Sequence, residues 1–319
     1  MNTRIMPARN DQGTMEADDA PLLCGVSDWR GPGGDEREAV HALCNHGRKG
    51  EKMIRRSAVA GSFYAGTRDR LHHQVEDLVP KGVAQEKAIG AVVPHAGYMY
   101  SGRVAAGVFS RVEFPETFVI LGPNHTGLGA GSAIMTNGQW ETPLGQVQID
   151  HELGKAILAN SSVLQEDHLG HLREHSIEVQ LPFLQYFDRP FGFVPICLFS
   201  HEYAACQEVG QAVAKAVRES GKRVLIVAST DMSHYVSRDA AAGQDRKAID
   251  AILALDPEGL HRVVRREGIS MCGFHPTTAM LMAAKVLGAT RADLVMYTDS
   301  GEVTRDLDEV VAYAGMLVR

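Results

Sequence analysis

Three apolar runs in this sequence end in residues that can carry protons or hold metal ions. "AVVP" is followed by His95, "ILGPN" by His125, and "LIVAST" by Asp231 and His234. In open α/β sheets ligands settle at the carboxyl ends of strands, where loops bring remote residues into one cleft. Pro94 and Pro123 stiffen the approach to each histidine, and Gly97, Gly102, Gly122 and Gly127 permit tight turns and close backbone approach around them. Cys272, in "ISMCGFHPTTAM", precedes Pro276 and a helical pattern. Near a helix N-terminus, backbone N–H groups and the dipole favour thiolate. Two strand-end imidazoles and one thiolate make a three-residue metal site with positions left open for substrate and dioxygen. Two other readings of Cys272 stand beside this one. It can be a small buried apolar residue, or a nucleophile with His234 and Asp231 as triad-like partners. Cys197 lies in a strand pattern and Cys206 in a helical one, so both read as core.

A second concentration is "EDHLGHLREHSIEVQLPFL" (166–184), with His168, His171, His175, Glu174 and Glu178. Read plainly, it is a charged helix start capped by Asp167 or Ser176. His171 and His175, four apart, would share a helix face, but the spacing is not the HExxH pattern. His175 beside two glutamates can serve as a proton shuttle, because a carboxylate orients the ring and tunes its pKa.

The elements that must position these residues follow from periodicity. Residues 88–95, 117–125, 191–199, 223–231, 292–300 and 310–318 are short, β-branched apolar runs, as buried strands are. Residues 132–150 read as two more strands around a Gly/Pro turn. Helical spacing fits 67–79, 178–187, 202–220, 240–255 and 276–288, the last with Pro276 early and Gly288 at its end. Strands interleaved with helices predict a single layered α/β domain over 53–319, with a mostly parallel or mixed central sheet flanked by helices. Residues 1–52 are rich in Gly, Asp, Glu, Arg and Pro, and are expected to be a disordered extension with one short helix near 36–47. Cys24, Cys44 and His46 within it match no zinc spacing.

Composition excludes more than it selects. The net charge is −7 and aromatics are 6%, so there is no basic footprint for nucleic acid. No apolar run is long enough to span a bilayer, and the N-terminus has no apolar core of a secretory signal. Five cysteines without a CxxC read as reduced thiols. The expected setting is the cytoplasm and the expected partner a small-molecule substrate.

The motifs "PHAGYMYSG", "ILGPNHTG", "EHSIEVQLPFLQ", "STDMSHY" and "MCGFHP" occur in this order, between an opening "RRSAVAGSFYAG" and a closing "AYAGMLV". From about Arg55 to Arg319 the chain resembles the Memo family, also called the AmmeMemoRadiSam system protein B family. That family is similar in fold to the class III extradiol ring-cleaving dioxygenases, which use non-haem Fe(II). The resemblance implies that His95, His125 and Cys272 hold the metal, cysteine standing where the ring-cleaving enzymes carry a carboxylate. It implies that Asp231 and His234 line the same cleft, with His234 at the acid/base position and His175 close by. Fe(II) is the implied ion, while soft sulfur also suits Cu or Zn. Two functions are compatible with the family. One is a metal-dependent oxygenase or redox protein acting on a small, catechol-like substrate; the other is a non-catalytic adaptor holding anionic or phosphorylated peptides in the same cleft. The family's association with an AMMECR1-like protein and a radical SAM enzyme implies these as pathway partners.

Overall fold

The computed structural model describes residues 53–199 and 202–319. The extension expected over 1–52, its short helix, and Cys24, Cys44 and His46 lie outside the described residues.

The chain opens with β1 (Ile54–Arg55), α1 (Arg68–Leu78), β2 (Gly90–Val93), α2 (Tyr98–Phe109) and β3 (Thr117–Pro123). Three short strands follow, β4 (Ser132–Ile134), β5 (Gln139–Thr142) and β6 (Gly145–Ile149), then α3 (His151–Ala159) and β7 (Gln165–Glu166). After α4 (Leu169–Leu172) a 3₁₀ turn at Glu178–Gln180 leads into α5 (Leu181–Tyr186), β8 (Gly192–Leu198) and α6 (Tyr203–Ser220). The remainder is β9 (Val224–Ser229), β10 (His234–Val236), α7 (Arg238–Leu253), α8 (Pro257–Glu267), α9 (Phe274–Val286), β11 (Ala292–Asp299), α10 (Gly301–Thr304) and β12 (Val310–Val318).

Among the described residues these strands form one mixed sheet in the order β1-β5-β6-β8-β3-β9-β2-β12-β10, with β11 on β12 and β4 on β8. Its centre, β6-β8-β3-β9-β2, is parallel, and β12 closes it antiparallel to β2. Both sides of β8, β3, β9 and β2 are apolar because both faces are covered, whereas β6 exposes Gln146 and Gln148 on one side. In β9, Ile226 and Ala228 join the core under α6, α7, α8 and α9, while Leu225 and Val227 join the core under α1, α2 and α5.

Every single strand expected from the apolar runs is present, and the mixed α/β architecture is as the alternation implied. The 132–150 segment holds three strands rather than two, because β4 leaves the hairpin β5-β6 to pair with β8. Helix α2 carries no period that marks it: "YMYSGRVAAGVF" is buried along most of its length, so no polar face exists to contrast with an apolar one. Helices α3 and α8 were likewise not foreseen. Asp256 caps α8, accepting from Gly259 N at 2.9 Å, with Pro257 in its first turn and Gly268 left-handed at its end.

No helix among the described residues is long and apolar enough to cross a membrane.

Candidate metal centre

The sheet order creates the site. Strand β9 lies between β2 and β3, so the loops after these three adjacent parallel strands leave the same edge side by side. His95 follows β2, His125 follows β3, and Asp231 follows β9 between them. Cys272 arrives from the other end of the chain, on the turn before α9. Gly273, the N-cap, lets that turn press onto the end of β9: a Cβ there would stand 2.3 Å from Ser229 O and 2.5 Å from Thr230 Cβ. Cys272 Sγ then accepts from Asp231 N at 3.3 Å and lies 3.2 Å from His95 Nε2. Gly273→Ala is expected to displace this turn and weaken metal affinity about 10–100-fold, the range for losing a group that orients a ligand. Competition titration against a chromogenic chelator checks it, and unchanged affinity would contradict the packing argument.

One ligand atom from each of His95, His125 and Cys272 lies within 4.8 Å of the others. Bonds of about 2.0–2.3 Å to one ion set its donors roughly 3–4 Å apart, so the trio is nearly at ligand spacing as folded. Each ring is oriented through its other nitrogen. His95 Nδ1 meets Ser229 Oγ at 2.9 Å, and His125 Nδ1 meets Glu174 Oε1 at 3.0 Å. Both Nε2 atoms are thereby left for a ligand, the arrangement that metal-binding histidines use. The donor set fits a borderline divalent ion such as Fe(II) or Zn(II).

The titrating groups around this point shift in both directions. Burial lowers the pKa of His125, but its hydrogen bonds to Cys272 and Glu174 outweigh that and push it up to about 11. His95 is held well below its ordinary value by burial and by the neighbouring His125 and His175. Burial would raise the Glu174 carboxyl, yet the hydrogen bond from His125 and the charges of His175 and His125 bring it well below the carboxylate range. Asp231, raised by burial, accepts from His95 N at 2.8 Å.

His175 stands in the cleft with its ring stacked on His125 (4.9 Å, 19°) and edge-on to His95 (5.5 Å, 88°), backed by Phe63 at 4.7 Å. Burial, reinforced by the charge of His125 and opposed by Glu174, takes it down to about 4. His234 is half-buried, its Nδ1 2.8 Å from Ser270 O and its N–H on Ser270 Oγ at 2.8 Å. The triad-like set of Cys272, His234 and Asp231 is not assembled as a relay. The imidazoles hydrogen-bonded to Cys272 are His95 and His125, while His234 spends Nδ1 on a backbone carbonyl.

The 166–184 segment differs from its reading. Helix α4 stops at Leu172, so His171 and His175 do not share a face. His171 turns into the core, edge-on to Trp140 at 5.7 Å, with Cys197 Sγ 3.4 Å from Nδ1. The two glutamates also part. Glu174 alone serves the site, whereas Glu178 pairs with the buried Arg55 and accepts from Ala58 N and Val59 N. Arg55 in turn donates to His171 O (3.0 Å) and Glu174 O (2.5 Å) and lies over Trp140, which clamps the loop that carries Glu174 and His175. Ser229 and Arg55 were missed by sequence reasoning. Ser229 sits two residues before Asp231 on a strand end already singled out; nothing local marks Arg55. A third close group, His72, His73 and Glu76 on α1, is largely exposed.

Burial lowers His171 to about 3 from an unfolded value near 6.5. Between these values the unfolded chain binds more protons, so stability is full above pH 6.5 and declines as pH falls toward 3, by about 1.4 kcal/mol per pH unit. His171→Leu is expected to flatten this slope, measured as urea-unfolding free energy from pH 7 to 4.5. An unchanged slope would refute the assignment.

The family model "Memo-like protein" matches residues 55–317. A MEMO1 family protein of Methanothermobacter thermautotrophicus is 43% identical over 274 residues, covering 82% of this chain and 99% of its own. Another, of Methanococcoides burtonii, is 46% identical over 268 residues, covering 83% and 100%. The crystal structure of an uncharacterized protein of Escherichia coli K12 shares the fold, with a TM-score of 0.53 at 14% identity over 72% of this chain and all of that one. With a family match from the buried Arg55 almost to the end of β12, and such identity over nearly the whole length of its relatives, the chain belongs to the Memo-like protein family.

Proposed function

We propose that the protein is a metal-dependent oxygenase or redox protein whose cleft holds one Fe(II) on His95, His125 and Cys272 and receives a small, catechol-like substrate. The observation that carries this reading is the convergence of one nitrogen from each of His95 and His125 and the Cys272 Sγ within 4.8 Å, each ring anchored through its Nδ1. The ion supplies the one-electron chemistry that dioxygen requires and a positive charge that favours an ionised substrate oxygen.

The chain's own residues do the rest. His234, donating from Nδ1 to Ser270 O, keeps the Nε2 lone pair free and accepts a substrate hydroxyl proton there. His175, kept neutral by burial, presents an imidazole edge that orients the bound reactants. Asp231 holds the His95 backbone and fixes the β2 loop against β9. Phe63 and the stacked rings limit water around His175.

The experiment is anaerobic reconstitution with Fe(II) followed by O₂-uptake measurement over a panel of catechols. Uptake dependent on substrate and lost in His234→Ala supports the proposal. An iron-loaded sample that consumes no O₂ with any catechol would falsify it.

A second reading draws on the 3.2 Å contact between Cys272 Sγ and His95 Nε2, which also suits an imidazole-activated thiolate nucleophile. Alkylation of Cys272 by iodoacetamide separates the two. Metal-loaded protein resists it if the thiolate is a ligand and reacts rapidly if it is a nucleophile.

A further inference from the structure

Tyr235 follows His234 directly; the residue is 53% exposed and its ring centroid lies 6.0 Å from that of His234. Its φ is +55°, the left-handed region that a bulky side chain enters only at a cost. Strand β10 pairs His234 with Val311 and Val236 with Val310, so Tyr235 is the extra residue of a bulge. Bulges beside functional sites re-aim a side chain that regular alternation would send elsewhere.

The conformation is held from both sides by groups that do not need the tyrosine. The buried Asp245 accepts from Ser233 N (3.0 Å), Ser233 Oγ (2.6 Å) and Tyr297 OH (2.8 Å). His234 is tied to Ser270 at both its N–H and its ring. Past the bulge, Ser237 caps α7. Anchors of this kind hold a strained residue where function uses it. The position lies in the segment that leaves β9 through Asp231 and His234 and forms β10. An aromatic ring left half in water, beside the proposed base and at an unfavourable φ, contributes nothing to the core.

We propose that Tyr235 is a substrate-stacking residue, its ring taking the face of a flat aromatic group and setting that group's hydroxyl within reach of His234. This rests on the aromatic-substrate reading above and extends it to the residue that selects for ring shape.

The test uses 4-nitrocatechol as probe, titrated by visible absorbance into the anaerobic Fe(II)-loaded full chain. Tyr235→Phe is expected to bind within about twofold of wild type, and Tyr235→Gly about three- to tenfold more weakly, the contribution of one aromatic pair. The Gly variant is also expected to unfold at a temperature no lower than wild type, since glycine accepts φ +55° freely. A purely structural tyrosine gives the reverse, a lowered midpoint with unchanged affinity, and that result overturns the proposal. Equal loss in Phe and Gly overturns it too, because the hydroxyl and not the ring would then be responsible. Wild type that binds the probe as well as Tyr235→Gly does removes the stacking role alone. Wild type that does not bind it at all removes the aromatic-substrate reading, and the stacking role with it.

Discussion

Cys272→Ala is expected to abolish stoichiometric metal binding, lowering affinity by more than the ~100-fold that marks the loss of an orienting neighbour. In the proposed site the thiolate would be the anionic donor of the trio, and two imidazoles without it would hold a divalent ion weakly. The fold should survive the change. Cys272 is half-buried, stands ahead of α9 rather than inside it, and packs against polar atoms of Asp231 and His95, not against hydrocarbon. Elemental analysis of protein purified without oxygen, paired with a thermal unfolding curve, reads both quantities. Metal retained at one equivalent in Cys272→Ala would mean that the ion sits elsewhere. The neighbouring group of His125, Glu174 and His175 would then be the place to look.

Glu174→Ala is expected to give the largest stability loss of any single change near the site. One carboxylate accepts four donors: His125 N (2.5 Å) on Oε2, and His125 Nδ1 (3.0 Å), His175 N (2.9 Å) and Ser176 N (2.8 Å) on Oε1. Removing it leaves three backbone N–H groups and the His125 Nδ1–H without an acceptor. Breaking a buried pair by deleting one partner costs about 3–5 kcal/mol, or roughly 10 °C in melting temperature for a chain of this size. Glu174→Gln keeps the shape but turns one oxygen into a donor facing another donor, so it recovers only part of the loss. Urea unfolding of the metal-free variants, with metal titration of whatever remains folded, checks both effects. A Glu174→Ala variant within 1 kcal/mol of wild type would refute the view of Glu174 as the hub of the cleft.

Glu174 was legible in sequence only as one of two glutamates near His175, and its partner Glu178 proved to belong to Arg55. Separating them required knowing that α4 ends at Leu172. A residue's direction after a broken helix depends on backbone angles that spacing does not encode. Helix α2 escaped notice for the opposite reason: nine of its twelve residues are buried, so its composition has little contrast to read. Gly122 was legible in part: in sequence it marked close backbone approach beside His125, but not the segment that approaches. A Cβ there would stand 2.4 Å from Ser176 Oγ, so this glycine lets the 174–177 loop close over β3.

By itself the sequence determined the six strands of the apolar runs, their alternation with helices, and the placing of His95, His125 and Asp231 just beyond strand ends. These are local properties, because apolar period and turn residues report which face a side chain takes and where an element stops. Only the tertiary structure decided that β9 sits between β2 and β3, that the turn after Met271 folds onto the end of β9, and that His95 and His125, rather than His234, reach the thiol. Strand order and loop approach are set by how the crossover helices pack on both faces of the sheet. That packing sums contacts between residues far apart in the chain, which no window of sequence contains.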